Sequence, residues 1–456
     1  MGRVCKYQYT HFIYPFVIET KKYNNFLMRI IGDEKNWNLK IYDQQADYDV
    51  CSFFLPYMKN FLFQTLTWSK QEEKLYKNGN VVQKFNKVKN ISCLTFEYNL
   101  GKIKTGNVTI KDEEDINFDI SQIRLVIFEP GICFLDIKTE IDTHGKYIDF
   151  DTILDFNFGF RELTPRGNSK VSLKKLKANN IDNIKDISSF ISAITKGFET
   201  NDRDKLYYDK MFTYSYVCLD ESEWNTEEDF KDLENDFYKF QYVSESSSQG
   251  KFNNECQRLI ENRYSRWQYS MFGFSNESGV VLVSEKENYN ITKLPHYFEK
   301  VYIYMVLLVL YQRIRLLNFS QALLNNSKSG VTKLQNRLIE FVHFSWFSQI
   351  TNSEHGMDMW KKWREAFGLP ELFEEVHKEY EEYYESIVSE GQNGINVVLM
   401  IVYIISTIFA GLSVLMNTID ISGTWMQTAL FIAILVAILC YPIYLIAKFF
   451  NRKKRR

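Results

Sequence analysis

The sequence predicts an α+β domain followed by a helical stalk and a hairpin of two membrane-crossing helices. Three observations lead there. Short aromatic and β-branched runs recur through the N-terminal part, and helical patterning takes over from Pro295. Two long apolar stretches, Asn396–Met416 and Met426–Phe449, lie near the C-terminus. The organisation read from them is an α/β domain over 1–290, a helical region and stalk over 291–393, the hairpin over 394–449 and a basic tail over 450–456.

Residues 1 to about 160 read as mainly strand. Tyr9–Glu19 is rich in aromatic and β-branched side chains, and Pro15 within it marks an edge or a bulge. Ile91–Tyr98 and Asn107–Lys111 partly alternate between apolar and polar residues. Ile123–Phe128 and Gly131–Ile137 flank the turn signal Glu129-Pro130, which predicts a hairpin. Tyr207–Leu219 is a further strand, while Ile181–Lys196 and Glu227–Tyr242 pattern as helices.

Polar segments separate these elements. Arg161–Lys177 carries six basic residues against Glu162 and includes the turn Pro165-Arg166-Gly167-Asn168. Its ordinary reading is a solvated basic loop. Its sharper reading is a phosphate or nucleotide site built on Arg161, Arg166 and Lys170, because guanidinium forks suit phosphate oxygens. Asp220–Asp236 is strongly acidic, a solvated helix face or a hard-cation site. Ser244–Gly250 is a loop or linker.

In the helical region, the apolar run Val301–Tyr311 is bounded by Glu299, Lys300, Arg313 and Arg315. It is too short for a bilayer and reads as a buried helix. Helices over Lys333–Ile350 and Met357–Phe367 follow. Gly368 stops one helix and Pro370 suits the first turn of the next. There Phe373, Val376, Tyr380, Tyr383 and Ile387 step by 3, 4, 3 and 4, a seam for a stalk or for packing on the chain's own domain.

The hairpin follows from length and charge. A hydrocarbon core of ~30 Å takes about 20 helical residues. No charged side chain falls between Ile395 and Met416, or between Met426 and Ala447. The short connection Asn417–Trp425 makes the pair antiparallel, so its two ends share one side of the membrane. Lys448 and Arg452–Arg456 stand at that side, while the connection carries only Asp420. Positive charge inside then places both termini in the cytoplasm, with the chain a multi-pass protein of the inner (plasma) membrane. Met1–Lys6 opens no secretory signal.

Composition narrows the chemistry. A net charge of -2 argues against direct nucleic-acid binding. The seven cysteines are dispersed without a CxxC pair, as befits reduced thiols. There is no Walker A loop, GxGxxG, HExxH or GxSxG, and the six histidines are scattered. The expectation is a non-enzyme, with a membrane-anchored enzyme as the outlying option.

The first membrane segment carries a pattern. Asn396, Met400, Tyr403, Thr407, Gly411, Val414 and Asn417 step by 4, 3, 4, 4, 3 and 3, on one helix face. Exposing Asn396, Thr407 and Asn417 to lipid is unfavourable, so the face meets other helices or water. A ring of copies turning it inward makes a pore; a helix–helix interface over Ser406, Ala410, Gly411 and Ser413 is the alternative.

Asn396-Val-Val-Leu-Met-Ile-Val-Tyr-Ile-Ile-Ser-Thr-Ile-Phe409 resembles the start of the pore helix of CorA-type magnesium transporters, with Met400 one residue late. The order of parts matches too. The family's outer Tyr-Gly-Met-Asn is replaced by Leu415-Met416-Asn417, so the resemblance does not extend to the Mg²⁺ filter. The combination is similar to the divergent CorA-like membrane proteins that accompany type III CRISPR systems. That likeness implies a homo-oligomer, a pentamer by the family habit, embedded in the lipid bilayer. It further implies a cytoplasmic sensor domain, a nucleotide messenger as its ligand and an antiviral role. The alternative is a Mg²⁺ or other divalent-cation transporter with cation feedback, in which Mg²⁺ is the bound ion.

Overall fold

A computed structural model describes residues 3–101, 105–109, 115–142, 147–163, 172–173, 186–197, 210–250, 252–253, 256–325, 328–385, 400, 403 and 406. The hairpin and tail lie outside these residues, except that Met400, Tyr403 and Ser406 are helical and exposed. Two compact units are delimited: Met1–Leu324 with Asn336–Val376, and Asn325–Gln335 with His377–Arg456.

The first unit is built on one mixed sheet. Its strands are β1 Val4–Val17, β2 Trp37–Leu39, β3 Cys93–Tyr98, β4 Thr105–Thr109, β5 Asp115–Phe128, β6 Ile132–Ile141, β7 Ile148–Asp149, β8 Ser172–Leu173, β9 Phe212–Leu219, β10 Arg263–Tyr264, β11 Ser270–Phe274 and β12 Ser278–Ser284. The order is β10-β11-β12-β9-β1-β6-β5-β3-β2, with β4 and β8 continuing from β5 and β7 beside β1. All pairings are antiparallel except β12 with β9.

Strand β1 is central, paired with β9 on one side and β6 on the other. Its sequence VCKYQYTHFIYPFV is buried almost throughout because helices cover both faces, which removes any need to alternate with polar residues. Pro15 sits just beyond the last β9 partner, Ile13 opposite Phe212, where no amide is needed on that side. The irregularity in β1 lies between Cys5 and Tyr7 instead.

The Glu129-Pro130 hairpin forms as expected, joining β5 to β6, with a cis peptide at its turn. Gly131 follows at φ 112°, and a Cβ there would fall 2.6 Å from the Ile18 carbonyl oxygen. Only glycine fits.

The expectation of mainly strand over 1–160 is corrected. Between β1 and β3 stand five helices: α1 Thr20–Gly32, α2 Tyr48–Phe53, α3 Pro56–Leu62, α4 Lys70–Asn78 and α5 Val81–Val88. Helix α1 buries Tyr23, Phe26, Leu27, Ile30 and Ile31, a stripe of helical spacing. Helices α4 and α5 open with capping boxes, Ser69 with Glu72 and Asn80 with Gln83. Helices α6 Phe150–Phe160, α7 Ile187–Thr195 and α8 Phe230–Gln241 join α1 on one face of the sheet. Short helices α9 Gln257–Glu261, α10 Tyr289–Thr292 and α11 Leu294–Tyr297 lead into α12 Ile303–Asn325, then α13 Lys328–Phe344 and α14 Glu354–Ala366. A last helix spans 369–385 after Gly368, whose φ of 59° ends the preceding one.

Helices α12 and α14 cover the opposite face of the sheet. Gly279 on β12 makes room there for the Trp363 ring of α14. Among the described residues, only the continuous helix Leu294–Leu323 is long and apolar enough to cross a membrane, and 78% of its most apolar window is buried in the fold. That burial agrees with a core helix, although the helix is longer than its eleven-residue apolar centre.

Candidate functional site

The two faces of the sheet differ in chemistry. Toward α1, α6 and α7 they meet as Phe12, Phe118, Phe156 and Phe160, ring against ring at 4.5–6.0 Å. Toward α12 the central strands instead present His11, Arg124, Asp136 and Lys138, all buried. Strand alternation sets this: Arg124 is registered with Asp136 across β5–β6, and His11 with Lys138 across β1–β6.

Both Asp136 oxygens are engaged. His11 Nδ1 lies 2.9 Å from Oδ1, while Arg124 donates from Nε (2.8 Å) and Nη2 (2.6 Å) to Oδ2. Burial alone would raise the Asp136 carboxyl, but His11 and Arg124 hold it below the ordinary carboxylate range. Lys138 Nζ donates to Glu299 Oε2 at 3.1 Å and stands 4.5 Å above the Tyr9 ring. Glu299 is likewise held down, burial being outweighed by Lys138, His11 and Arg124.

Glu299 belongs to a π-helical turn, Phe298–Tyr302, just before α12. The extra residue of such a turn re-aims its side chains, and π turns are frequent at functional sites. Phe298 stacks on Tyr214 at 3.8 Å and 4°, and the Tyr9 hydroxyl donates to the Pro295 carbonyl at 2.7 Å. Tyr304 shares a hydrogen bond with Tyr42. The start of α12 is thus located by a charge pair and directed hydrogen bonds, not by apolar contact alone.

Farther along α12 opens a cavity of about 620 Å³, and beside it one of about 740 Å³ that shares Phe61, Ser92 and Phe344 with it. Arg315, Arg337, Glu129, Glu340 and Phe341 line the first; Tyr57, His343, Trp346 and Phe347 line the second. Trp346 has further roles. Its ring stacks on Phe373 of the last helix at 4.4 Å and 14°, and the Arg364 guanidinium lies 4.7 Å from its centre. Burial lowers the Arg364 pKa, as expected for a cation turned toward a ring rather than water.

The residues singled out by sequence fall elsewhere. Arg161 is 4% exposed; its Nη1 donates to Glu277 Oε2 at 3.0 Å, and its guanidinium lies 5.7 Å from the Phe158 ring centre. Arg166 and Lys170 lie outside the described residues, as do Asn396, Thr407, Gly411, Val414 and Asn417. Met400 and Tyr403 are described, helical and well exposed. The acidic run engages neighbouring bases: Asp220 with Lys6, Glu223 and Asp236 with Arg3, and Glu234 with Arg263. Among the described residues, no group of His, Cys, Asp or Glu is placed to hold a metal ion. In the stalk seam, Val376 and Tyr380 are buried and Phe373 is half-buried.

Sequence reading missed the charged sheet face and the cavity arginines. The signal for the first was a charge at every second position, Arg124 on β5 and Asp136 and Lys138 on β6, inside otherwise apolar strands. No family model, curated protein or solved structure matches this chain.

Proposed function

We propose that this chain is an oligomeric membrane channel whose N-terminal domain controls the opening of a ring of C-terminal hairpins. In this reading Asn417 forms the outer polar ring, Thr407 and Asn396 inner rings, and Met400 and Val414 the apolar constrictions. Tyr403 and Gly411 complete the lining, and the termini face the cytoplasm. A nucleotide messenger is the proposed signal, and antiviral defence of the type III CRISPR kind the proposed setting.

One observation favours control over passive anchoring: Trp346, which lines a cavity of the domain, stacks on Phe373 of helix 369–385, the helix that precedes the apolar hairpin sequence. A tether would need no such joint. With it, a shift of the cavity wall at Trp346 is passed to helix 369–385, so a ligand preferring one position biases the gate.

The test is ion flux from liposomes carrying the purified full chain, with a panel of cyclic and linear nucleotides and, separately, Mg²⁺. A nucleotide should open the channel, Asn417→Ala should change the flux, and Phe373→Ala, which removes the stack from outside the cavity lining, should leave ligand binding while removing the response. Unchanged flux with every nucleotide, together with no effect of Asn417→Ala, rejects the channel. Opening or closing by Mg²⁺ alone favours the divalent-cation transporter. Ligand turnover by the protein favours an anchored enzyme.

A further inference from the structure

The first cavity is built by two facing helical stripes. Tyr311, Arg315 and Asn318 step by 4 and 3 on α12, and Arg337, Phe341 and Phe344 do so on α13. The β5–β6 turn contributes Glu129. Arg315 is half-buried, with its guanidinium 5.0 Å from the Phe319 ring centre and 5.8 Å from that of Phe341. Its Nε is buried and has no hydrogen-bond partner. A guanidinium held by ring faces keeps its in-plane donors for another partner. A buried donor left unmade is costly, so a partner is expected.

The carboxylates of the same cavity do not supply one. Among the described residues, neither Glu129 nor Glu340 forms an ion pair with Arg315 or Arg337, whereas Glu19, also in the lining, pairs with Lys22 at 3.3 Å. Glu129 is raised by burial, with Arg315 acting the other way, so it lies in the field of that cation without touching it. Two cations and two uncommitted carboxylates thus line one space of about 620 Å³, large enough for a small metabolite. A polyanion would meet Glu129 and Glu340; a simple cation would meet the arginines.

We infer that this cavity binds an amphoteric small molecule, its anionic group between Arg315 and Arg337, its amino group at Glu129 and Glu340, and its apolar body against Phe341 and Phe344. The site stands on its own geometry; only its effect on opening rests on the gating reading above.

The probe is tyramine phosphate, titrated calorimetrically into the full chain in detergent, with phenyl phosphate and tyramine as its two halves. Tyramine phosphate should bind about tenfold tighter than either half. Arg337→Gln, at an exposed position that folding does not need, should weaken it about tenfold. Glu129→Gln should bring it down to the phenyl phosphate value. Arg266→Gln, outside the cavity lining, should leave it unchanged. No saturable binding up to ~10 mM, equal binding of phenyl phosphate, or indifference to Arg337→Gln overturns the site. Binding in the expected order without any flux response supports the site and rejects its part in opening the channel.

Discussion

The two faces of the central sheet are buried by opposite means. Toward α6, Phe12, Phe118, Phe156 and Phe160 form an apolar layer in which contacts are non-directional and shape alone decides. Toward α12, Asp136 takes bonds of fixed direction from His11 and Arg124, and Glu299 takes one from Lys138. A buried ionic group adds little net stability over an apolar one, but losing one partner strands the others. The comparison teaches that the apolar face holds the helices on, whereas the charged face dictates where α12 sits along the sheet.

The sharpest way to break that contrast is to remove Asp136. Asp136→Ala leaves Arg124 and His11 buried without their acceptor and should cost about 3–5 kcal/mol in denaturant unfolding. Asp136→Asn keeps the shape but removes the charge, and should cost nearly as much. Either variant unfolding like wild type would show that the charges are spectators.

Next in size is a titration on the same side of the sheet. His355 is ringed by Trp267, Tyr264, Phe272 and Tyr302, with Arg266 and Asp358 the charged groups facing it. Burial first, and Arg266 second, push its pKa down to about 4. The unfolded chain therefore binds this proton more readily. The stability contributed by neutral His355 is present above pH ~6.5 and is lost as pH falls toward ~4, on the order of 3 kcal/mol. Unfolding midpoints measured across that window should flatten in His355→Phe; an unchanged slope would assign the pH dependence elsewhere.

On the apolar face a conservative change should be mild. Phe160→Leu keeps most of the volume and should cost less than about 1.5 kcal/mol, in contrast to the conservative Asp136→Asn. A loss as large as that of Asp136→Asn would erase the distinction. Smallest is Arg266→Ala, whose pairing with Glu354 at 2.7 Å is exposed; thermal unfolding should shift by less than about 1 kcal/mol.

Legibility in the sequence followed the same divide. Apolar strands with clear turn chemistry, such as the Glu129-Pro130 hairpin and β9, read directly, because their partners matter less than their own pattern. Helices α1–α5 fall in a stretch that reads as mainly strand, although Ser69–Glu72 and Asn80–Gln83 spell capping boxes, since aromatic residues serve a helical stripe and a strand equally well. Strands β11 and β12 went unread because Ser-Met-Phe-Gly-Phe and Ser-Gly-Val-Val-Leu-Val-Ser are short and buried on both faces. The cavity could not be read at all. Arg315 and Arg337 meet only when α12 and α13 face each other, and nothing local marks an arginine whose partner is absent from the chain.

The central place of β1 has a consequence for how the chain is made. It leaves the ribosome ahead of the other strands of the sheet, and its β9 partner, with Phe212 opposite Ile13, follows about 200 residues later. At ~5–20 residues per second, this very apolar strand waits roughly 10–40 s with one edge unpaired. Early translation is therefore when the protein is most exposed to aggregation, and when a holding chaperone has most to protect.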